Sequence, residues 1–294
     1  DHYIAGDYDV EIAFLEGEAT SLVAQSKNPD SVKYAWVHTD MIKNPWTDKC
    51  YKNFEQEKEV YSKYDRVIAV SKSVKEAFEK KFELPAQVVY NALDEKEIER
   101  KTLLFEGNPK SEEITRLISI GRLEKVKGFE RLIKAFAELI KETPNVELYL
   151  VGDGSERSGL ERLIVEKKVG DKVKLLGFKS NPYPYLKSSD VFVCSSYAEG
   201  FSTVVTEALI LGIPTVTTEC AGMRELLGDS EYGLIVENST KGILDGLRKM
   251  TGDPVMLEAY QKKAKERGRA FCVADRIKEI EALIEQDCEK KRRR

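Results

Sequence analysis

The sequence predicts an α/β protein built from two doubly wound domains. Short β-branched runs, turns containing Gly or Ser, and amphipathic helical stretches alternate along most of the chain, which is typical of parallel sheets covered by helices. The 294 residues also exceed what one ordinary core needs, at roughly 150 residues per domain. We expect a first domain with its linker at 1–110, a second at 111–270, and a C-terminal helix with a basic tail at 271–294 that packs back toward the first domain.

The first domain contains four predicted strands. The candidate strands are 10–15, 32–37, 66–70 and 87–90, and the candidate helices are 19–27, 52–63 and 71–82. A parallel sheet buried on both faces needs its full set of strands, and the apolar pattern begins almost directly after Asp1. We therefore expect this domain to be incomplete at its N-terminal side. The charged stretch 94–113, with its turn-like Gly107-Asn108-Pro109, is interpreted as a linker.

The second domain shows a complete six-strand unit. The candidate strands are 115–120, 146–151, 173–176, 191–194, 215–217 and 234–236, and the candidate helices are 129–141, 155–168, 183–188, 202–211, 223–227 and 241–250. Further helices are predicted at 254–269 and 275–288.

Composition excludes several classes of function. The 47 basic and 51 acidic residues give a net charge of −4, which offers no broad electrostatic footprint for nucleic acid. The five cysteines are odd in number and widely spaced, as in idle thiols of a reducing compartment. No apolar run approaches the ~20 residues of a membrane span, and no signal segment is visible. We expect a cytoplasmic protein; the basic run 290–294 is either a solvated end or a peripheral contact with the inner face of the cell membrane.

The first candidate motif begins where the strand 115–120 ends. Gly121 closes the strand, Arg122 and Lys127 follow five residues apart, and Gly128 precedes a helix. Open α/β sheets bind ligands at the carboxyl ends of their strands, and Arg and Lys are suited to phosphate oxygens. The alternative is a surface turn with solvated cations.

The second candidate motif runs from Glu199 to Glu207, just after the strand 191–194. Gly200 permits a tight turn and Ser202 can cap the following helix, so that the N–H groups of residues 202–204 would face a diphosphate. Glu207 could reach a pair of sugar or ribose hydroxyls. The alternative for Glu207 is simple complementation of the helix dipole.

Three further positions are weaker candidates. Gly177 and Phe178 follow the strand 173–176, on the edge where a base could lie. His38 follows the strand 32–37 and could bond a substrate hydroxyl or pass a proton, although single histidines are usually structural. Gly152-Asp153-Gly154 is interpreted as a tight βα turn. No carboxylate or histidine cluster has metal-ligand spacing, so Arg122 and Lys127 would have to neutralise the phosphates.

Together these residues resemble family 4 of the retaining glycosyltransferases, of the GT-B type, in its bacterial capsule and exopolysaccharide branch. The segments that carry the resemblance are Glu199 through Glu207 with Ala208-Leu209, Gly212-Ile213-Pro214, Gly121-Arg122-Leu123 with Lys127-Gly128, and Trp36-Val37-His38-Thr39-Asp40. The resemblance implies two Rossmann-like domains facing a crevice. Ala221 departs from the family's Gly-Gly-x-x-Glu pattern, and the family's Gly-rich loop after the first strand has no counterpart, which leaves open whether the chain is active.

The resemblance also implies roles for individual residues. Arg122 and Lys127 would bind the donor diphosphate, Glu207 the ribose hydroxyls and Glu199 the transferred sugar. His38 would lie beside the reacting centre. The rest of the donor-binding set is Gly121, Gly177, Phe178, Gly200, Phe201, Ser202, Thr203 and Val204.

The predicted function is transfer of a sugar from a nucleotide-diphosphate donor, a UDP-sugar, to a glycan or lipid-linked acceptor in polysaccharide biosynthesis. No cofactor and no metal ion are expected, and nucleic acid is not an expected partner. A nucleotide-sugar epimerase of the same fold and a nucleotide-binding fragment without activity are the alternatives.

Overall fold

The structure is a computed structural model that describes residues 4, 6–104, 113–271 and 273–293. It confirms the predicted α/β class, with two parallel sheets. The chain divides into two compact units, unit 1 with residues 1–92, 199–201 and 273–294, and unit 2 with residues 93–198 and 202–272. The division between the units falls at 92/93, whereas the sequence suggested 110/111.

Unit 1 is built on a parallel sheet whose described strands follow the order β1-β2-β3-β4. These strands are β1 (Val10–Ala13), β2 (Val32–Val37), β3 (Arg66–Ala69) and β4 (Gln87–Val88). All four lie where the sequence predicts strands. Every residue of β2 is buried, and its Lys33 forms an ion pair with the buried Glu11 of β1, 3.5 Å away. The charged pair therefore joins two neighbouring strands.

The helices of unit 1 are α1 (Glu18–Ala24), α2 (Phe54–Ser62), α3 (Lys72–Phe82) and, much later in the chain, α12 (Val273–Arg292). Side-chain caps start two of them, because Asn53 and Ser71 accept hydrogen bonds from backbone N–H groups three residues on. The α12 helix is tied to the sheet by Asp287, which accepts two hydrogen bonds from Arg66 of β3 and one from Tyr34 of β2, at 2.7–2.8 Å.

The segment interpreted as a linker contains a helix, α4 (Glu95–Thr102), which corrects that interpretation. Asp94 caps it by accepting a hydrogen bond from the N–H of Glu97. Ile98 is its one buried residue. Because a helix is recognised in a sequence by a repeat of apolar residues, one apolar residue in two turns gives no visible repeat. The helix belongs to unit 2. Gly107-Asn108-Pro109 lies outside the described residues.

Unit 2 contains a parallel sheet with the described strand order β10-β9-β8-β5-β6-β7. Its strands are β5 (Thr115–Ile120), β6 (Val146–Val151), β7 (Val173–Gly177), β8 (Val191–Cys194), β9 (Thr215–Thr218) and β10 (Leu234–Val236). All six were predicted. The strand order reverses between β5 and β8, because β5 has β6 on one side and β8 on the other.

Helices cover the sheet of unit 2. Besides α4 they are α5 (Phe129–Leu139), α6 (Arg157–Glu166), α7 (Tyr183–Lys187), α8 (Thr203–Ile210), α9 (Met223–Leu227), α10 (Thr240–Gly252) and α11 (Pro254–Gly268). The core between sheet and helices includes Leu117, Phe136 and Leu247, which are fully buried. Across the part of the chain that the structure describes, no helix is both long and apolar enough to cross a membrane.

Candidate functional site

The two main candidate motifs follow the adjacent strands β5 and β8. In open parallel sheets the carboxyl ends of the two strands at which the order reverses flank a crevice, and ligands bind there. The loop 121–128 follows β5, and the loop that begins at Ser195 follows β8. The fold therefore brings the first motif, and the part of the second motif that starts at Ser202, to the edge of the sheet that favours a ligand.

The loop after β5 is in direct contact with the loop after β8. Gly128 has a positive φ of 63°, and a Cβ atom at this position would lie 2.3 Å from the carbonyl oxygen of Ser195. The Ser195 hydroxyl donates a 2.9 Å hydrogen bond to the carbonyl of Lys127. Only glycine permits this approach, so the backbone of Lys127 is fixed against the end of β8.

The same loop is supported on its other side by the turn after β6. A Cβ atom at Gly152 would lie 1.9 Å from the carbonyl oxygen of Gly121, and one at Gly154 would lie 2.5 Å from that of Leu123. The segment interpreted as a tight βα turn is present between β6 and α6. Its glycines allow two backbone segments to pack closely. This packing is a sufficient reason for glycine at both positions, and no nucleotide contact is needed to explain them.

Arg122 and Lys127 are the two cations of this loop. The Arg122 side chain is 74% exposed and forms a 2.7 Å ion pair with Glu124. Lys127 is half-buried, and its side-chain carbons lie 3.8–3.9 Å from a Cβ position built on Gly121. Both cations thus start from the carboxyl end of β5; their binding of phosphate stays a prediction.

Arg131 organises the loop after β8 and was missed in the sequence. Its buried guanidinium donates hydrogen bonds to the carbonyls of Ser195 and Ser196 and stacks 3.8 Å from the ring centroid of Tyr197. Burial lowers the pKa of Arg131. The available signal was a charged residue within the apolar run of α5, directly before Leu132 and Ile133.

The start of α8 has the predicted cap. The Ser202 side chain accepts a hydrogen bond from the N–H of Val205. Thr203 and Val204 supply the first N–H groups of the helix, where a helix has no acceptors of its own. This end of α8 follows β8 and is suited to an anion.

Glu207 lies in the second turn of α8 and is half-buried. Burial raises its pKa from 4.5 to about 7, against the opposing effect of a 3.1 Å hydrogen bond that the Tyr183 hydroxyl donates to its Oε1. Tyr183 begins α7 and was not among the sequence candidates. A carboxylate with such a pKa is a candidate functional group, although buried pairs of purely structural value also show such shifts.

Glu199, Gly200 and Phe201 belong to unit 1. Within that unit a Cβ atom at Gly200 would lie 1.8 Å from the carbonyl oxygen of His38. The Phe201 ring packs 5.3 Å from that of Tyr90. The structure thus places the first half of the second motif beside the predicted His38.

The backbone at His38 is held by a buried carboxylate. Oε1 of Glu16 accepts hydrogen bonds from the N–H groups of His38 and Thr39, at 2.6 and 2.9 Å. The imidazole Nε2 of His38 lies 2.8 Å from the carbonyl oxygen of Phe14, whose ring contacts the imidazole edge to face. Glu16 is a further site residue that the sequence did not reveal.

The remaining candidates follow β7. Gly177, with φ of 71°, ends this strand, and its carbonyl accepts a hydrogen bond from Gly152. Phe178 is 74% exposed, so its ring is accessible to a planar ligand. In the described ranges no cluster of three His, Cys, Asp or Glu side chains could hold a metal ion.

Comparison with known proteins gives the family. A model described as glycosyl transferases group 1 matches residues 100–267. The chain is 32% identical over 281 residues, 92% of its length and 71% of the relative's, to N-acetylgalactosamine-N,N'-diacetylbacillosaminyl-diphospho-undecaprenol 4-alpha-N-acetylgalactosaminyltransferase of Campylobacter jejuni. It is 33% identical over 158 residues to the lipopolysaccharide core biosynthesis glycosyltransferase LpsE of Rhizobium meliloti, which covers 53% of the chain and 44% of that protein.

Solved structures agree in fold. Anabaena HepE in complex with UDP superposes with a TM-score of 0.80 at 20% identity, over 95% of this chain and 79% of that one. Sucrose-phosphate synthase from Thermosynechococcus elongatus gives 0.78 at 20% identity, over 95% and 73%. These likenesses confirm the GT-B fold expected from the resemblance. With more than half of its length matched by the family model, the chain belongs to the group 1 glycosyl transferases.

Proposed function

We propose that the chain is a retaining, metal-independent glycosyltransferase of family 4 that moves a sugar from a UDP-sugar to a glycan or lipid-linked acceptor in polysaccharide biosynthesis. Family membership supports sugar transfer, and HepE was solved with UDP. The Campylobacter relative is named for a diphospho-undecaprenol substrate. The observation that carries the proposal is the contact between the loop 121–128 and the end of β8. This contact lies where the strand order of the sheet reverses.

The proposed chemistry follows from the charges. When the bond between the anomeric carbon and the phosphate breaks, positive charge develops on the sugar and additional negative charge on the diphosphate. Arg122, Lys127 and the first N–H groups of α8 would stabilise the departing diphosphate without a metal ion, because prearranged positive groups lower the cost of charge separation. Glu207 would bind the ribose, while Glu199 and His38 would contact the transferred sugar.

The proposed place of action is the cytoplasm, at the inner face of the membrane for a lipid-linked acceptor. Two cations of the basic run are engaged within unit 1, since Lys291 pairs with Asp65 at 3.1 Å and Arg292 with Asp9 at 3.3 Å. Any contact with anionic lipid would therefore compete with these pairs.

The decisive experiment is a transfer assay with a panel of UDP-sugars and lipid-linked acceptors. Arg122→Ala should lower turnover by about 100-fold, since a lost transition-state donor typically costs that much. Glu207→Ala removes a contact with the ribose and should raise the KM for the UDP-sugar. Arg162→Ala, an exposed arginine on α6, is the matched control and should retain activity.

The other outcomes identify the competing functions. A rearranged donor sugar in the absence of acceptor would show an epimerase instead. UDP binding without turnover would show a nucleotide-binding fragment. Full activity in both variants would contradict the assigned site.

A further inference from the structure

The Tyr183–Glu207 pair is a contact of unit 2 to which the proposed function assigns no role. The hydroxyl of Tyr183 lies 3.1 Å from Oε1 of Glu207. Among the described residues, Oε2 of the same carboxylate has no hydrogen-bond partner. One oxygen of the carboxylate is thus fixed by the protein, and the other remains for a ligand.

Tyr183 is itself held in place by contacts with α4. The Lys101 ammonium of α4 lies 6.0 Å from the Tyr183 ring centroid, within range of a cation–π attraction. The side-chain amide of Asn181 donates a 2.9 Å hydrogen bond to the carbonyl of Lys101. These contacts join α4 to the beginning of α7, so the segment interpreted as a linker supports the tyrosine.

From this geometry, and resting on the proposed function, we infer that Tyr183 is the positioning residue for Glu207. Its hydroxyl holds the carboxylate in one orientation and favours its ionised form, with Oε2 presented to the ribose hydroxyls of the nucleotide. A hydroxyl donor stabilises the ionised carboxylate, whereas a protonated carboxyl would present an O–H in place of one acceptor.

Among the residues that the structure describes, the charged and titratable groups beside the pair come from α7 and α4. Tyr183 comes from α7, and Lys101 with its ion-pair partner Glu97, 3.4 Å away, comes from α4. Burial and the neighbouring Glu207 raise the pKa of Tyr183 to about 12. The tyrosine therefore remains a donor through pH 9, and the group that titrates around neutrality is the carboxyl of Glu207.

The test is calorimetric titration of the full chain with UDP at pH 7 and pH 9. A terminal phosphate loses its last proton near pH ~6, so the ligand's charge is nearly constant over this range. For Tyr183→Phe we expect affinity about fivefold below that of the unsubstituted chain at pH 7 and within about twofold at pH 9, as for a carboxyl whose pKa rises by about one unit. Glu207→Gln should bind weakly at both pH values.

Tyr185→Phe, two residues along in α7, is the matched control and should behave like the unsubstituted chain. Equal affinities of Tyr183→Phe and the unsubstituted chain at pH 7 would overturn the inference. If UDP fails to bind the unsubstituted chain at either pH, the proposed function is at fault instead. Thermal unfolding of each variant, recorded beside the titrations, separates loss of fold from loss of binding.

Discussion

The carbonyl oxygen of His38 occupies the space that a side chain at Gly200 would need, 1.8 Å from the built Cβ position. The hydroxyl of Ser71 lies 3.3 Å from the carbonyl of Gly200 on another side of the same segment. A side chain at position 200 would therefore clash with the backbone at His38, so glycine is required there. This requirement goes beyond the tight turn that the sequence suggested.

Gly200→Ala is expected to force these segments apart. Overpacking of this kind costs about 1–3 kcal/mol, so the free energy of unfolding of unit 1 should fall by that amount and transfer activity should be lost. Trp36 and Trp46 are the two tryptophans of the chain and both lie in unit 1, so tryptophan fluorescence during urea unfolding measures this unit.

The matched control for that substitution is Gly159→Ala. Gly159 lies in α6, and a Cβ atom there meets nothing within 4 Å. This variant should gain about 0.5–1 kcal/mol in unit 2, because alanine favours the helix, and should leave the fluorescence midpoint of unit 1 unchanged. An unchanged fluorescence midpoint in Gly200→Ala would show that the two segments can separate freely.

Glu124 is expected to compete with the nucleotide for Arg122. Exposed ion pairs contribute only about 0–1 kcal/mol, so a diphosphate can displace Glu124, but at a small cost. Glu124→Gln should therefore tighten UDP binding by up to about fivefold, the equivalent of ~1 kcal/mol. Calorimetric titration measures the affinity for UDP. In an Arg122→Ala background, Glu124→Gln should leave this affinity unchanged. Tightening that persists without Arg122 would argue against the competition.

Removal of Arg131 should loosen the loop after β8. Arg131→Met leaves the carbonyl of Ser195 without its buried donor, at a cost of about 1–3 kcal/mol, whereas the carbonyl of Ser196 keeps the hydroxyl of Thr218. We expect a lower unfolding midpoint for unit 2 by circular dichroism, weaker UDP binding, and unchanged tryptophan fluorescence. Lys134→Met, on the exposed side of the same helix, should be neutral. A loss of stability in both variants alike would point to the helix and not to the loop.

The stability of the nucleotide-free protein should fall as pH rises through neutrality. Burial raises the pKa of Glu207 from 4.5 to about 7, so the folded state keeps a proton that the unfolded state releases above pH 4.5. This contribution is fully present below pH 4.5 and lost by about pH 7, at most about 3 kcal/mol in total.

Urea unfolding at pH 5 and pH 8 measures this dependence. Glu207→Gln should reduce the difference between the two pH values, because an amide does not titrate. The exposed Glu138→Gln should leave the difference as it is in the unsubstituted chain. An identical pH dependence in Glu207→Gln and the unsubstituted chain would contradict the raised pKa.

The strands were predictable because each is a short β-branched run between turn residues, and all ten lie where the pattern indicates. The α4 helix was missed because six of its eight residues are charged and only Ile98 is buried, although Asp94 followed by Glu97 is a usable start signal. Local pattern detects a helix through its apolar face, and this helix has almost none.

The positions of the candidate loops were predictable, but their supports were not. Gly121 and Ser202 follow strands, so strand prediction alone locates them. Tyr183, Arg131 and Glu16 act on groups 24, 64 and 22 residues away in the chain, and no local pattern reports contacts at those separations. Such residues become visible only when the sheet order is known.

The contact of Asp287 with Tyr34 and Arg66 has a consequence for synthesis on the ribosome. Those two side chains belong to strands made early, yet their shared partner is made only after the whole of unit 2. Until then the tyrosine hydroxyl and the guanidinium remain exposed on a half-covered sheet, while residues 113–271 already contain the six strands of unit 2. The order of synthesis therefore allows unit 2 to complete its sheet first. Strands β2 and β3 obtain their contact with Asp287 only after α12 has been synthesised.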